Sequence, residues 1–103
     1  MKYHFKVGRM KTIVVDGKDS FEKLGFAILD SYNIRLSHLF LFVFANGDET
    51  NSATLFGPMN DYRDVSMEAT IESRNLEIGE AMTMEYDYSG NWKRKVKLIK
   101  ITE

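Results

Sequence analysis

The sequence predicts a two-layer α+β fold, in which a mainly antiparallel sheet of about five strands carries one principal helix packed on one face. Three observations support this fold class: alternating apolar and polar residues near both ends of the chain, one amphipathic helical stripe, and one continuous apolar run between them. The 103 residues have the size of one domain, and no linker or internal repeat divides them. We therefore expect a single domain over residues 1–103.

The first fifteen residues predict a β-hairpin. Tyr3, Phe5 and Val7 alternate with polar neighbours, which is typical of a half-buried strand. Residues 12–15 are rich in β-branched side chains and predict a second strand. Gly8 lies between the two segments, where a turn is needed.

The principal helix is predicted to begin at Asp19, whose carboxylate can cap free backbone N–H groups, with Glu22 completing a capping box. Its buried stripe consists of Phe21, Leu24, Gly25, Ile28 and Tyr32. Because glycine inside a helix costs about 1 kcal/mol relative to alanine, we expect Gly25 to mark a close approach to the sheet. Asn33 is expected to end the helix.

Residues 39–44 are apolar at every position and predict a central strand. We expect both of its faces to be covered, one by the helix and the other by the acidic middle of the chain. The polar residues 48–52 indicate a loop after a turn at 46–47. The remaining expectations here are a short strand at 53–56, a loop at 59–69 and one or two helical turns within 71–78.

The last two strands are predicted from alternating residues on both sides of residues 89–91. A loop of these three residues, or another odd number, keeps the apolar side chains of both strands on one face, whereas a two-residue loop would mix the faces. The three-residue loop predicts the cross-strand pairs Tyr88–Trp92, Tyr86–Arg94 and Met84–Val96 on the apolar face, and Asp87–Lys93 and Glu85–Lys95 on the other.

Charge is unevenly distributed although the formal net charge is −1. Residues 48–87 contain ten acidic residues and two arginines, and residues 88–103 contain five basic residues and one glutamate. Such a basic run is either a solvated face or a surface for a polyanion. The expected cross-strand carboxylates favour the solvated face, since they would neutralise much of the run.

Composition excludes several classes of site. The absence of cysteine excludes disulfides, thiolate metal sites and thiol nucleophiles, and two histidines exclude a His-rich metal site. The longest apolar run, residues 39–45, is far shorter than the roughly 20 residues of a membrane-spanning helix. No signal peptide is recognisable. We therefore expect a cytoplasmic protein without membrane contact, cofactor or bound metal.

Two motifs follow the predicted hairpin and helix. In the first, His38, Leu39 and Phe42 form a His-Leu-x-x-Phe strand. In the second, a late hairpin contains Tyr86, Asp87 and Trp92, with Tyr88 where the pattern Tyr-Asp-Phe-Gly-Asp-x-Trp has phenylalanine. This arrangement resembles the plasmid pRiA ORF-3-like family. The resemblance implies an α+β domain associated with plasmids and insertion elements, and it implies no established catalytic activity.

The chain also departs from the family's pattern. Ser89 and Gly90 stand where the second motif has Gly-Asp, and Arg94 occupies a position where the family often has histidine. The Pro-x-x-Trp-Arg stretch expected near the second strand is missing. The resemblance is therefore to a short and divergent member of the family.

The candidate binding residues are Tyr86, Tyr88, Trp92 and Arg94. Aromatic rings beside one guanidinium can stack on a base or ring ligand, or they can pack as core with the arginine lying across a tyrosine. The leading hypothesis is a non-enzymatic interaction module that binds a protein or a nucleic acid through these residues. A homodimer formed through an exposed strand edge is a further possibility.

An enzyme is the alternative, namely a small hydrolase or metal-dependent enzyme that uses His38 and Asp87. Histidine titrates near neutral pH and could carry a proton beside a carboxylate. A metal would need further carboxylate ligands, and no recognisable ligand spacing is present. The structural interpretation makes His38 a residue at the rim of the sheet and Asp87 the partner of Lys93.

Overall fold

A computed structural model of the chain describes residues 1–34, 40–51, 64–86 and 92–103. Its elements are β1 (Lys2–Val7), β2 (Lys11–Asp16), α1 (Phe21–Ser31), β3 (Phe40–Val43), β4 (Glu49–Asn51), β5 (Asp64–Ser66), a 3-10 helix (Ile71–Arg74), β6 (Ala81–Tyr86) and β7 (Trp92–Thr102). These strands form one sheet in the order β2-β1-β7-β6-β3-β4-β5. All neighbours are antiparallel except β4 and β5, which are parallel. The α+β prediction is confirmed, with seven strands described instead of about five.

The N-terminal hairpin forms as predicted. Tyr3 pairs with Val15 and Val7 pairs with Lys11, while Gly8 adopts a left-handed backbone with φ of 61° in the turn. The other edge of β1 pairs with β7, where Val7 lies opposite Val96. The alternating residues of β1 are buried, so one face of the sheet carries the core.

The helix begins one residue later than predicted. Ser20, not Asp19, is the N-cap, because its backbone is extended and its Oγ accepts a hydrogen bond from Lys23 N at 3.0 Å. The Asp19 carboxylate instead accepts from Asp16 N at 2.9 Å and pairs with Lys23 Nζ at 3.2 Å. The predicted capping box fails because Asp19 closes the preceding turn and Lys23, rather than Glu22, occupies the third helical position.

The last residue of α1 is Ser31, and Tyr32 is its C-cap. Asn33 marks the end of the helix as predicted, and the hydrogen bonds explain why. Asn33 has a φ of 58°, in the left-handed region that asparagine tolerates. Its N–H donates to Asp30 O at 3.0 Å, and Ile34 N donates to Leu29 O at 2.9 Å. This pair of bonds is the Schellman motif, in which the apolar residue after the left-handed one packs back onto the helix. Ile34 accordingly contacts the core.

Gly25 lies against the sheet, as its position in the helical stripe predicted. It is buried, and a Cβ atom built there would overlap the ring of Phe40, whose Cδ2 would lie 2.8 Å away. Phe40 is the first residue of β3, so the missing side chain allows α1 to pack directly on that strand.

One face of the apolar strand lies in the core, and the other face is partly buried. Phe40 and Phe42 of β3 are buried, whereas Leu41 and Val43 are half-buried on the opposite face. Coverage of that face by the acidic middle of the chain stays a prediction, since residues 52–63 lie outside the described residues. Residues 67 and 69 bond to the first turn of α1, where Glu22 N donates to Met67 O and Phe21 N donates to Ala69 O.

The segment after β3 contains more strand than predicted. A tight turn forms as Gly47 N donates to Phe44 O at 2.9 Å and Phe44 N donates to Asp48 O at 2.7 Å. β4 begins at Glu49, inside the predicted loop, and β5 lies within the predicted loop 59–69. The strand predicted at 53–56 lies outside the described residues. The helical turn predicted within 71–78 is confirmed by the 3-10 helix.

Thr50 is the one polar residue among the described ones that is buried to the level of the core, at 3% exposure. Its Oγ1 accepts a hydrogen bond from Phe42 N at 2.9 Å, so the side chain stands in for a backbone partner between β4 and β3. We expect Thr50→Val to lower the free energy of unfolding by about 1–3 kcal/mol, since it leaves that N–H buried and unpaired. Urea denaturation measures this. Thr12→Val, at an exposed strand position, is the control and should change stability by less than about 0.5 kcal/mol.

The C-terminal hairpin keeps the predicted faces but not the predicted pairs. The observed pairs are Tyr86–Trp92, Glu85–Lys93, Met84–Arg94, Thr83–Lys95, Met82–Val96 and Ala81–Lys97. The register differs from the three-residue loop by two residues and leaves residues 87–91 between the strands. Two residues is one full period of a strand, so Met84 and Trp92 remain on the same face.

Within the described residues, no helix is both long enough and apolar enough to cross a membrane.

Candidate binding site

Trp92 and Arg94 meet the end of the helix at the start of β7. The Arg94 Cζ lies 4.6 Å from the centre of the Trp92 ring and 5.2 Å from the centre of the Tyr32 ring. The two rings stand edge to face, with centres 5.5 Å apart and planes at 84°. Tyr32 is the cap residue at the end of α1, so the helix and the hairpin both contribute to the cluster. We call Tyr32, Trp92 and Arg94 the aromatic patch.

A second cation borders the aromatic patch. Lys11 Nζ lies 4.9 Å from the centre of the Tyr32 ring. Each such contact is worth about 0.5–1 kcal/mol at an exposed site. Arg94 is also held by a 2.8 Å hydrogen bond from its Nη1 to Lys93 O. The ion pairs between described residues, Lys23–Asp19 and Arg74–Asp48, do not involve either cation of the patch.

Tyr86 packs against the core side of the aromatic patch. It is only 4% exposed and belongs to the core, and its ring meets Trp92 edge to face at 6.4 Å. The predicted contact of Arg94 with Tyr86 is replaced by its contacts with Trp92 and Tyr32. Of the four predicted binding residues, the structure therefore brings together Tyr86, Trp92 and Arg94. Tyr88 lies outside the described residues.

Tyr32 and Lys11 were not predicted to join this site. Tyr32 was assigned to the buried stripe of the helix, and Lys11 lay just before the predicted second strand, residues 12–15. Both reach the patch through contacts between segments that are distant in the sequence. Tyr32 Oη donates to Val7 O at 3.5 Å, and Lys11 Nζ lies over the Tyr32 ring. The only available signal was that Tyr32 is the last residue of the helical stripe.

The residues of the alternative enzyme hypothesis, His38 and Asp87, both lie outside the described residues. Their proximity therefore stays a prediction. In the described ranges, no group of three or more His, Cys, Asp or Glu side chains is placed to hold a metal ion. The other histidine, His4, makes a 2.9 Å hydrogen bond between its Nε2 and Thr102 Oγ1.

The pKa of the Asp16 carboxyl is lowered. The backbone N–H of Lys18 donates to its Oδ1 at 2.9 Å and holds the pKa of this exposed carboxyl below its usual value. Asp16 lies at the outer edge of the sheet, away from the aromatic patch, and pairs with Lys2.

The face of the sheet opposite α1 carries most of the C-terminal basic run. We call this surface the lysine face, and it consists of Lys6, Lys93, Lys95, Lys97 and Lys100, all exposed. In the observed register, Lys93 lies opposite Glu85, but Lys95 lies opposite Thr83. The predicted neutralisation of Lys95 by Glu85 is therefore wrong, because the register places that carboxylate two residues away.

The comparisons with known proteins support the fold and give no activity. No protein-family model and no curated protein matches the chain. Among solved structures, a protein of unknown function from Methanosarcina mazei Go1 is similar, with a TM-score of 0.69 and 24% sequence identity. The match covers 96% of this chain and 59% of the other chain. The chain thus spans under two thirds of the length of that protein.

Proposed function

We propose that this chain is a non-enzymatic nucleic-acid-binding module whose aromatic patch contacts an unpaired base. The observation that carries the proposal is the pair of cations, Arg94 and Lys11, set against the ring of Tyr32 without a carboxylate partner among the described residues. Proteins that bind single strands combine aromatic rings and arginine planes, which stack on bases, with cations that meet the backbone phosphates.

Charge favours a nucleic acid over a protein as the partner. Arg94 and Lys11 both lie near the turn after β1, which borders the lysine face. Among the described residues, few acidic residues lie opposite the lysines of that face on neighbouring strands. A protein partner would have to supply a matching acidic surface, whereas the phosphate backbone supplies regularly spaced negative charge. Failure of the wild-type protein to bind the oligonucleotide in the experiment below would leave a protein partner as the alternative.

The expected result is measurable with a fluorescein-labelled twelve-residue thymidine oligonucleotide. Trp92→Leu and Arg94→Gln should each weaken binding, measured by fluorescence anisotropy, by about 1–3 kcal/mol, because stacking on one base contributes that much. Two variants are used because Trp92 is half-buried, while Arg94→Gln keeps most of the packing. Far-UV circular dichroism and thermal melting establish that each variant is folded.

Lys18→Gln is the matched control for Arg94→Gln. It removes one positive charge from an exposed position outside the patch, so it should leave the affinity within about twofold. The same sequence as a duplex should bind more weakly than the single strand, since its bases are already stacked. Absence of oligonucleotide binding by the wild-type protein, or equal affinity of the wild type and both patch variants, would overturn the proposal.

Divergent membership of the plasmid pRiA ORF-3-like family also stays a proposal, and with it a mobile-element association and a cytoplasmic location. The order of a hairpin, a helix, an apolar strand and a late hairpin is consistent with this membership.

A homodimer formed through a strand edge is likewise a proposal. It is supported by β2, an outer strand of the sheet with Val14 47% exposed.

A further inference from the structure

The lysine face concentrates positive charge on two neighbouring strands, β1 and β7. Lys6 on β1 lies directly opposite Lys97 on β7, and on its other side Lys97 faces Ala81. Lys100 lies opposite His4. Like charges in directly opposed positions destabilise a sheet, so this arrangement costs folding energy that a bound anion would recover.

Among the described residues, few carboxylates lie opposite this charge across the strands. Glu85, opposite Lys93, is the acidic residue that faces a member of the lysine face across β6 and β7. The ion pairs between described residues lie elsewhere, at the start of α1 and beside the 3-10 helix. The net charge of −1 therefore conceals a mainly positive surface, since most acidic residues lie in other segments.

A groove of about 200 Å³ lies in the lysine face and is lined by Lys6, Gly8, Lys95 and Lys97. Three lysine side chains therefore border a space that is large enough for a phosphate group. Gly8 N donates to Lys95 O at 3.0 Å, which fixes the turn after β1 against β7 at one end of the groove.

Gly8 also joins the groove to the aromatic patch. A Cβ atom at this position would lie 2.9 Å from Tyr32 Oη and 3.6 Å from Arg94 Cδ. Because Gly8 has no side chain, only its backbone lies between the lysines on one face of β7 and the aromatic rings on the other face. A strand that passes around this turn can contact both surfaces within a few nucleotides.

We infer that the groove between Lys6, Lys95 and Lys97 binds backbone phosphates of the same single-stranded nucleic acid whose base contacts the aromatic patch. The inference rests on the proposed function and adds the site of electrostatic contact. The cations of the groove release counterions from the strand on binding, so the affinity must fall with salt. The rings of the patch contribute a term that is independent of salt.

Salt titration separates the two contributions. With the labelled thymidine oligonucleotide, the logarithm of the affinity should fall linearly with the logarithm of the salt concentration. Lys95→Gln combined with Lys97→Gln should reduce the slope by about 1.4, since each phosphate contact on a single strand contributes about 0.7. Lys18→Gln combined with Lys23→Gln removes the same charge from exposed positions elsewhere and should leave the slope unchanged.

Trp92→Leu provides the opposite signature, a lower affinity at every salt concentration with an unchanged slope. An unchanged slope in the Lys95 and Lys97 variant, or an equal reduction in the control, would overturn the phosphate site while the proposed function stands. A wild-type protein that does not bind the oligonucleotide would overturn the proposed function, and the phosphate site with it.

Discussion

Replacing Phe21 with alanine is expected to lower the free energy of unfolding by about 3–5 kcal/mol. Phe21 is fully buried and is the first residue of α1. Its ring meets Phe44 edge to face at 5.3 Å and lies 5.9 Å from Phe42, so it joins the helix to β3 and to the turn that follows. Removing the ring leaves a cavity at the point where the two layers meet.

The backbone around Phe21 limits how far the cavity can collapse. Phe21 N donates to Ala69 O at 3.1 Å, and Ile71 N donates to Asp19 O at 2.9 Å. These bonds attach the start of the helix to the segment that leads into the 3-10 helix. Because the surroundings are held on both sides, the cost should lie toward the upper end of the range for a Phe-to-Ala change.

Phe26→Ala is the matched control for this prediction. It is the same substitution in the same helix, but Phe26 is 42% exposed. Its ring meets that of Phe40 edge to face, with the ring centres 5.8 Å apart. The decrease in the free energy of unfolding should be clearly smaller for Phe26→Ala than for Phe21→Ala. Urea denaturation followed by circular dichroism compares the two variants, and Phe21→Leu serves if Phe21→Ala does not fold. Equal losses at the two positions would contradict the packing described for the helix start.

The faces of the strands could be predicted from the sequence because side chains alternate with a period of two. Met84 and Trp92 were placed on one face, and they lie there although the register was wrong by two residues. The register itself depends on the conformation of the connecting residues, which alternation does not encode. The same error led to the prediction of a neutralised basic run, since charge pairing depends on which residues are opposite, not only on which face they share.

The binding site was only partly predictable for a related reason. Trp92 and Arg94 are close in sequence, and their shared parity placed them together. Tyr32 and Lys11 come from the helix end and from β2, and only tertiary packing brings them to the same rings. The position of Ser20 shows a local limit as well, because Asp19 and Ser20 both favour the N-cap and the preceding turn decides between them.

Gly25→Ala is expected to destabilise the protein by about 1–3 kcal/mol, although alanine is the better helix former. At an exposed helical position the same change would stabilise by about 1 kcal/mol. At Gly25 the new Cβ would overlap the ring of Phe40, and the ring cannot retreat freely because Phe26 and Phe42 pack on it. The helix must therefore move away from β3, which loses contacts along the whole interface.

Asp30→Ala is the control for Gly25→Ala, because the change to alanine in the same helix is expected not to destabilise the protein. Asp30 is exposed in the last turn, where a negative charge opposes the helix dipole, so this alanine should be neutral or stabilising.

Phe40→Leu tests the cause of the loss at Gly25, since removing the ring makes room for the Cβ. The double variant Gly25→Ala with Phe40→Leu should be more stable than the sum of the single changes, by about 0.5–3 kcal/mol. Additive losses in thermal or urea unfolding would show that the cost of Gly25→Ala does not come from the Phe40 ring.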